Sequence, residues 1–86
     1  MIMSFKVGDK VRVKSWEEIR KTLDDWHECN RVYFNSDMER FCGKAIELSE
    51  SDSYRTGAFK DNKDGWLWVE EWLEPIKNDY QYHSIL

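Results

Sequence analysis

Three sets of side chains in this chain have types that could do chemistry. The first is aromatic and acidic. Trp66, Trp68 and Trp72 lie within seven positions of one another, next to Glu70 and Glu71, and Tyr54 and Tyr80 flank them in sequence. Large rings with one polar edge are the side chains that carry most energy at contact surfaces. Ringed by carboxylates, they would suit a partner with basic residues. The expected binding patch is therefore Tyr54, Trp68 and Trp72, rimmed by Glu70 and Glu71. The competing use of the same tryptophans is core packing. Trp66 is the better core candidate; Trp68 would share its face by alternation, and Leu67 would point away.

The second set is basic. Lys6, Lys10, Arg12, Lys14, Arg20 and Lys21 crowd the first 23 residues. That segment holds six basic and three acidic side chains, a net of +3. The remaining 63 residues hold seven and fourteen, a net of −7, which gives −4 in all. Lys10, Arg12 and Lys14 on one strand face are an alternative, nucleic-acid contact. The sequence pI of about 5.1 runs against that alternative.

The third set is His27, Glu28, Cys29 and the distant Cys42, with His83 far downstream. Zinc sites want four ligands, usually paired as C-x-x-C or H-x-x-x-H. Here the cysteines are unpaired, so no metal and no cofactor are expected. Nucleophilic catalysis needs a thiol or hydroxyl beside a positioned base. Cys29 and His27, two positions apart, do not face each other on a helix. The four glycines are scattered singly and form no phosphate loop. The acid pairs Glu17-Glu18, Asp24-Asp25 and Glu70-Glu71 read as solvated helix starts and turns. An enzyme is not expected.

The elements that must position these groups follow from periodicity. Eighty-six residues make one domain with room for one small core. Val11 and Val13 alternate with Lys10, Arg12 and Lys14, a half-buried strand. Ser15 with Glu18 forms a capping box that opens a helix over residues 16–26, with Trp16, Ile19, Leu23 and Trp26 on one face. Arg31 to Phe34 is a short extended piece. Ser36 with Glu39 is a second capping box, opening a turn through Met38, Phe41 and Cys42 that Gly43 stops. Residues 44–49 alternate as a strand. Residues 54–60 form another, with Gly57 as a bend or bulge. Residues 61–65 are a hairpin loop in which Asp64-Gly65 supplies positive φ. Residues 66–69 are a third strand, residues 70–73 a helical turn, and residues 74–76 a closing strand with Pro75 at an edge. Val11, Val13, Ile46, Leu48, Trp66 and Leu73 should cluster as the core.

Three segments carry a resemblance: Val7-Gly8-Asp9-Lys10-Val11-Arg12-Val13, Phe41-Cys42-Gly43-Lys44-Ala45-Ile46-Glu47-Leu48, and Gly65-Trp66-Leu67-Trp68-Val69 through Leu73-Glu74. They resemble the SH3-like repeat of mind bomb ubiquitin ligases and the small stand-alone SH3-like proteins of Gram-positive bacteria and their phages. The resemblance spans roughly residues 5–77. It implies a mainly β fold, a small SH3-like barrel of about five strands with a helix inserted after the first. Residues 1–77 would form the domain and residues 78–86 a tail. It further implies a non-catalytic module that binds a protein or peptide, in a small bacterial or phage accessory protein. Ligase activity does not carry over, because the chain has no RING-type cysteine pairs and no ankyrin repeats. No stretch is apolar enough for a signal or a membrane span. A cytoplasmic location with reduced thiols is the expectation.

Overall fold

A computed structural model describes residues 5–53 and 57–76. The architecture is mainly β. Five strands form one antiparallel sheet in the order β6-β5-β4-β1-β7. They are β1 (Lys10–Val13), β4 (Ala45–Ser51), β5 (Ala58–Asp61), β6 (Leu67–Val69) and β7 (Leu73–Pro75). A helix, α1 (Trp16–Arg20), and a small hairpin of β2 (Glu28–Cys29) and β3 (Val32–Tyr33) are inserted between β1 and β4. Two 3₁₀ helices complete the elements of the described residues, Ser36–Phe41 before β4 and Glu70–Trp72 between β6 and β7.

The alternation in β1 works as expected. Val11 and Val13 are buried, and Arg12 lies between them on the opposite face. Ile46 and Leu48 of β4 do the same. β1 lies between β4 and β7, with Val11 opposite Ile46 on one side and Pro75 on the other. Pro75 is tolerated because β7 is an edge strand and owes no hydrogen bond to a further neighbour. The irregularity in the sheet falls between Leu48 and Glu50 of β4, not at Gly57. Gly57 instead precedes β5 with a φ of +81°, a left-handed backbone that glycine adopts without strain.

The inserted helix is shorter than its apolar spacing suggests. Ser15 caps it, accepting from the Glu18 N–H, but it ends at Arg20. The Thr22 hydroxyl then donates to the Ile19 carbonyl at 2.7 Å and draws off the last turn. Ile19 is buried, Trp16 and Leu23 pack at the edge of the core, and Trp26 is out in solvent. The second cap falls one residue earlier than Ser36. Asn35 accepts from the Asp37 N–H, and the Met38 sulfur accepts from the Asn35 N–H. Gly43, at φ +80°, follows that helix as expected.

The core joins Val11, Val13, Ile46, Leu48 and Leu73 to residues of every insertion: Ile19, Val32, Phe34, Met38 and Phe41. Its centre is aromatic. Trp68 meets Phe34, Phe41 and Trp72 edge-on, at centroid distances of 6.2, 5.6 and 6.2 Å. Trp66, expected to be central, is only partly buried and packs against the rim of this cluster. The geometry puts the quadrupole-favoured edge of one ring at the face of the next, an arrangement worth about 0.5–1.5 kcal/mol per pair beyond burial.

Candidate functional site

The structure does not build the expected aromatic patch. Trp68 and Trp72 are both 0% exposed. Their polar edges are also satisfied internally. The Trp68 indole N–H donates to Asp61 Oδ2 at 2.9 Å, and the Trp72 indole N–H donates to Thr22 Oγ1 at 2.9 Å. Rings held this way are core, and nothing of them is left for a partner. Tyr54 and Tyr80 lie outside the described residues. Of the expected rim, Glu70 is half-buried and accepts from the Phe5 N–H at 3.1 Å, while Glu71 is exposed and accepts from Asn30 Nδ2 at 2.9 Å.

The basic strand face is not a clear run of positive charge either. In the sheet register Lys10 stands opposite Glu47, and Arg12 opposite Glu74. Directly opposed residues share a face. Arg12 turns inward along that face to donate to the Gly43 carbonyl at 2.9 Å. Lys14 is half-buried at the strand end.

The exposed aromatics are elsewhere. Among the described residues the large apolar side chains most open to solvent are Trp26, 74% exposed, Tyr33, 54% exposed, and Val7. Trp26 precedes the small hairpin, and Tyr33 lies on its second strand. The hairpin's two-residue loop, Asn30-Arg31, has both residues left-handed, at φ 52° and 67°. This is the primed turn that matches strand twist. Asn fits it well, and the β-carbon of Arg31 makes the conformation costly, roughly 1–3 kcal/mol. The hairpin is anchored from beneath. Val32 and Phe34 are buried, and Phe34 stacks on Trp16 at 5.4 Å. One carboxylate orders the approach to it: Asp24 Oδ1 accepts from the N–H groups of Trp26 and Glu28 at 2.8 and 3.0 Å.

A row of rings runs outward along this element. Trp16 lies 6.4 Å from His27, and His27 lies 6.2 Å from Tyr33. Three carboxylates lie on or beside this element. Glu28 is the cross-strand partner of Tyr33, Asp25 precedes Trp26, and Glu71 is held against the hairpin turn by Asn30. Their field reaches Cys29. Burial raises its thiol pKa above the ordinary value, and the charges of Glu71 and Asp24 raise it further, against a lowering hydrogen bond with Thr22. The Cys42 thiol is pushed up by burial and by Glu39. Both thiols are therefore protonated at neutral pH, the opposite of what a nucleophile needs. Among the described residues no three His, Cys, Asp or Glu side chains gather where they could hold a metal ion. No helix among them is long and apolar enough to cross a membrane.

The sequence pointed to Trp68 and Trp72, because five tryptophans look like surplus over what a small core needs. It missed Trp26, which a helical spacing had placed on the buried face. The available signal was Asp24-Asp25 two residues upstream, a turn-forming pair that stops a helix before it reaches Trp26. Comparison of the chain with protein-family models, with curated proteins and with solved structures finds no match.

Proposed function

We propose that this chain is a non-catalytic binding module of the SH3-like small-barrel type, and that it engages an extended protein or peptide segment carrying basic residues. The fold part of this reading rests on strand order. β4, β5 and β6 adjoin in sequence, and β7 returns beside β1 after a single 3₁₀ turn. That is the order expected of an SH3-like barrel whose first loop has grown into a helix and hairpin. The binding part rests above all on Trp26. A tryptophan three-quarters exposed, its backbone N–H held by Asp24 and only two side-chain torsions left to order, is an anchor that loses little side-chain entropy on contact. Tyr33 and His27 extend the surface, and Asp25, Glu28 and Glu71 supply the negative rim.

A basic side chain gains twice on such a surface. Arginine can lie over an exposed ring by cation–π attraction and pair with a neighbouring carboxylate. The nucleic-acid alternative through Lys10, Arg12 and Lys14 has less support, because Glu47 and Glu74 stand opposite two of the three cations.

The test uses a panel of fluorescein-labelled extended nonapeptides that differ in arginine and proline content, titrated with the full chain and read by anisotropy. Arginine-containing members should bind saturably, more weakly as salt rises. Trp26→Ala with Tyr33→Ala should abolish the binding and leave the melting temperature within a degree or two. Equal binding by that variant would refute the assignment of the site.

A further inference from the structure

A second surface, sharing no residue with the hairpin, has the opposite charge. Two adjoining cavities, of about 310 and 320 Å³, share Phe41, Lys44 and Lys63. The first continues past Ala45 and Ile46 to Lys10 and Glu47; the second ends at Arg40 and Asp64. Together they form a half-open groove across β1, β4 and the loop between β5 and β6.

Its charges are only partly used. Arg40 pairs with Asp64, and its guanidinium lies 5.1 Å over the Phe41 ring. Lys10 faces Glu47 across the sheet. Lys44 and Lys63 have no ion-pair partner among the described residues. Both sit on backbone that is held firmly. The Lys44 N–H donates to the Phe41 carbonyl, and its own carbonyl accepts from Val13. The Lys63 N–H donates to Asp61, and the neighbouring Asn62 N–H donates to the Glu47 carbonyl at 3.0 Å. Two cations without an ion-pair partner among the described residues, on fixed backbone and lining one groove, suit a partner with spaced negative charges.

We propose that this groove docks an acidic segment of a protein partner, its carboxylates on Lys44 and Lys63 and its backbone running past the exposed Ala45. The groove's own chemistry separates this occupant from nucleic acid. Its one aromatic, Phe41, is 8% exposed, so no ring face is open for a base to stack on. Glu47 and Asp64 lie in its walls, where a continuous phosphate backbone would meet them and spaced carboxylates need not.

The probe is a fluorescein-labelled peptide of alternating glutamate and leucine, titrated with the full chain at low and at physiological salt and read by anisotropy. Binding should be saturable and fall as salt rises. Lys44→Glu with Lys63→Glu should weaken it about tenfold or more, since each reversal replaces an attraction by a repulsion. Lys21→Glu, an exposed reversal outside the groove, should bind as the parent does. So should Trp26→Ala, which keeps this claim separate from the hairpin site. No saturable binding at low salt would overturn the proposal. Equal loss in Lys21→Glu would also overturn it, as would a single-stranded oligonucleotide that binds in place of the peptide with the same lysine dependence.

Discussion

Replacing Asp61 should destabilise this protein more than any other single polar substitution. Asp61 ends β5 and is 2% exposed. Its carboxylate accepts five hydrogen bonds. Oδ1 takes the N–H groups of Lys63, Asp64 and Gly65 at 2.9, 2.7 and 3.1 Å; Oδ2 takes the Trp66 N–H at 3.1 Å and the Trp68 indole at 2.9 Å. It therefore closes the hairpin loop and anchors the central ring of the core. Asp61→Ala frees the loop N–H groups to find water, but the Trp68 donor is fully buried and cannot. One stranded buried donor costs about 1–3 kcal/mol, and the lost charge-assisted loop bonds bring the total to about 3–5 kcal/mol. Asp61→Asn keeps size and one acceptor. Whichever way the amide turns, its NH₂ faces N–H donors, so it should still cost about 2–4 kcal/mol.

The pH dependence of the same pair of proteins has a definite sign. Burial alone would raise the Asp61 pKa. The Trp68 indole and the N–H groups of Asp64, Lys63 and Gly65 outweigh it and hold the carboxyl below its ordinary 3.8. A group depressed on folding stabilises above its unfolded pKa and loses that contribution as pH falls toward the folded one. The advantage of the parent over Asp61→Asn should be level from pH 7 to about 5, then shrink below about 4. Urea unfolding followed by tryptophan fluorescence reads both effects. An Asp61→Asn variant within about 0.5 kcal/mol of the parent at pH 7 would show that the carboxylate is not the organising group.

Other substitutions follow from the same contacts. Trp68→Phe should cost about 1.5–3 kcal/mol by emptying the Asp61 bond. Trp66→Phe should be close to neutral, because the Trp66 indole N–H is buried without an acceptor among the described residues; equal losses in urea midpoints would contradict this. Ser15→Ala and Asn35→Ala should each lose about 1 kcal/mol in the same assay as helix caps, whereas Ser36→Ala, on the residue after the true cap, should lose little.

These contrasts show where the sequence was readable. Val11, Val13, Ile46 and Leu48 announced their strands because a period of two has one physical meaning on a half-buried sheet. Gly43 and Gly65 announced positive φ, and both have it. Ser15 announced a cap correctly. The length of α1 was not legible, because Trp16, Ile19, Leu23 and Trp26 satisfy helical spacing while Thr22 and Asp24 divert the backbone. Asn35 and Ser36 are both good caps; the Asp37 N–H on the Asn35 side chain and the Asn35 N–H on the Met38 sulfur decide for Asn35. The division of the tryptophans was the largest gap. Trp66 and Trp68 alternate in phase, so periodicity cannot say which reaches the core. Asp61, seven residues upstream of Trp68, decides it by a side-chain bond that no local pattern encodes. The exposure of Trp26 follows from the turn and hairpin after α1, which its helical spacing does not encode.

We place partner recognition on the hairpin and not on the basic strand. Amide chemical shifts of ¹⁵N-labelled protein, titrated with an arginine-containing nonapeptide, test it residue by residue. Shifts should concentrate at Asp25 to Arg31, at Tyr33 and at Glu71, with Lys10 to Lys14 unmoved. Shifts confined to Lys10, Arg12 and Lys14, or a hairpin left unmoved at saturation, would contradict it.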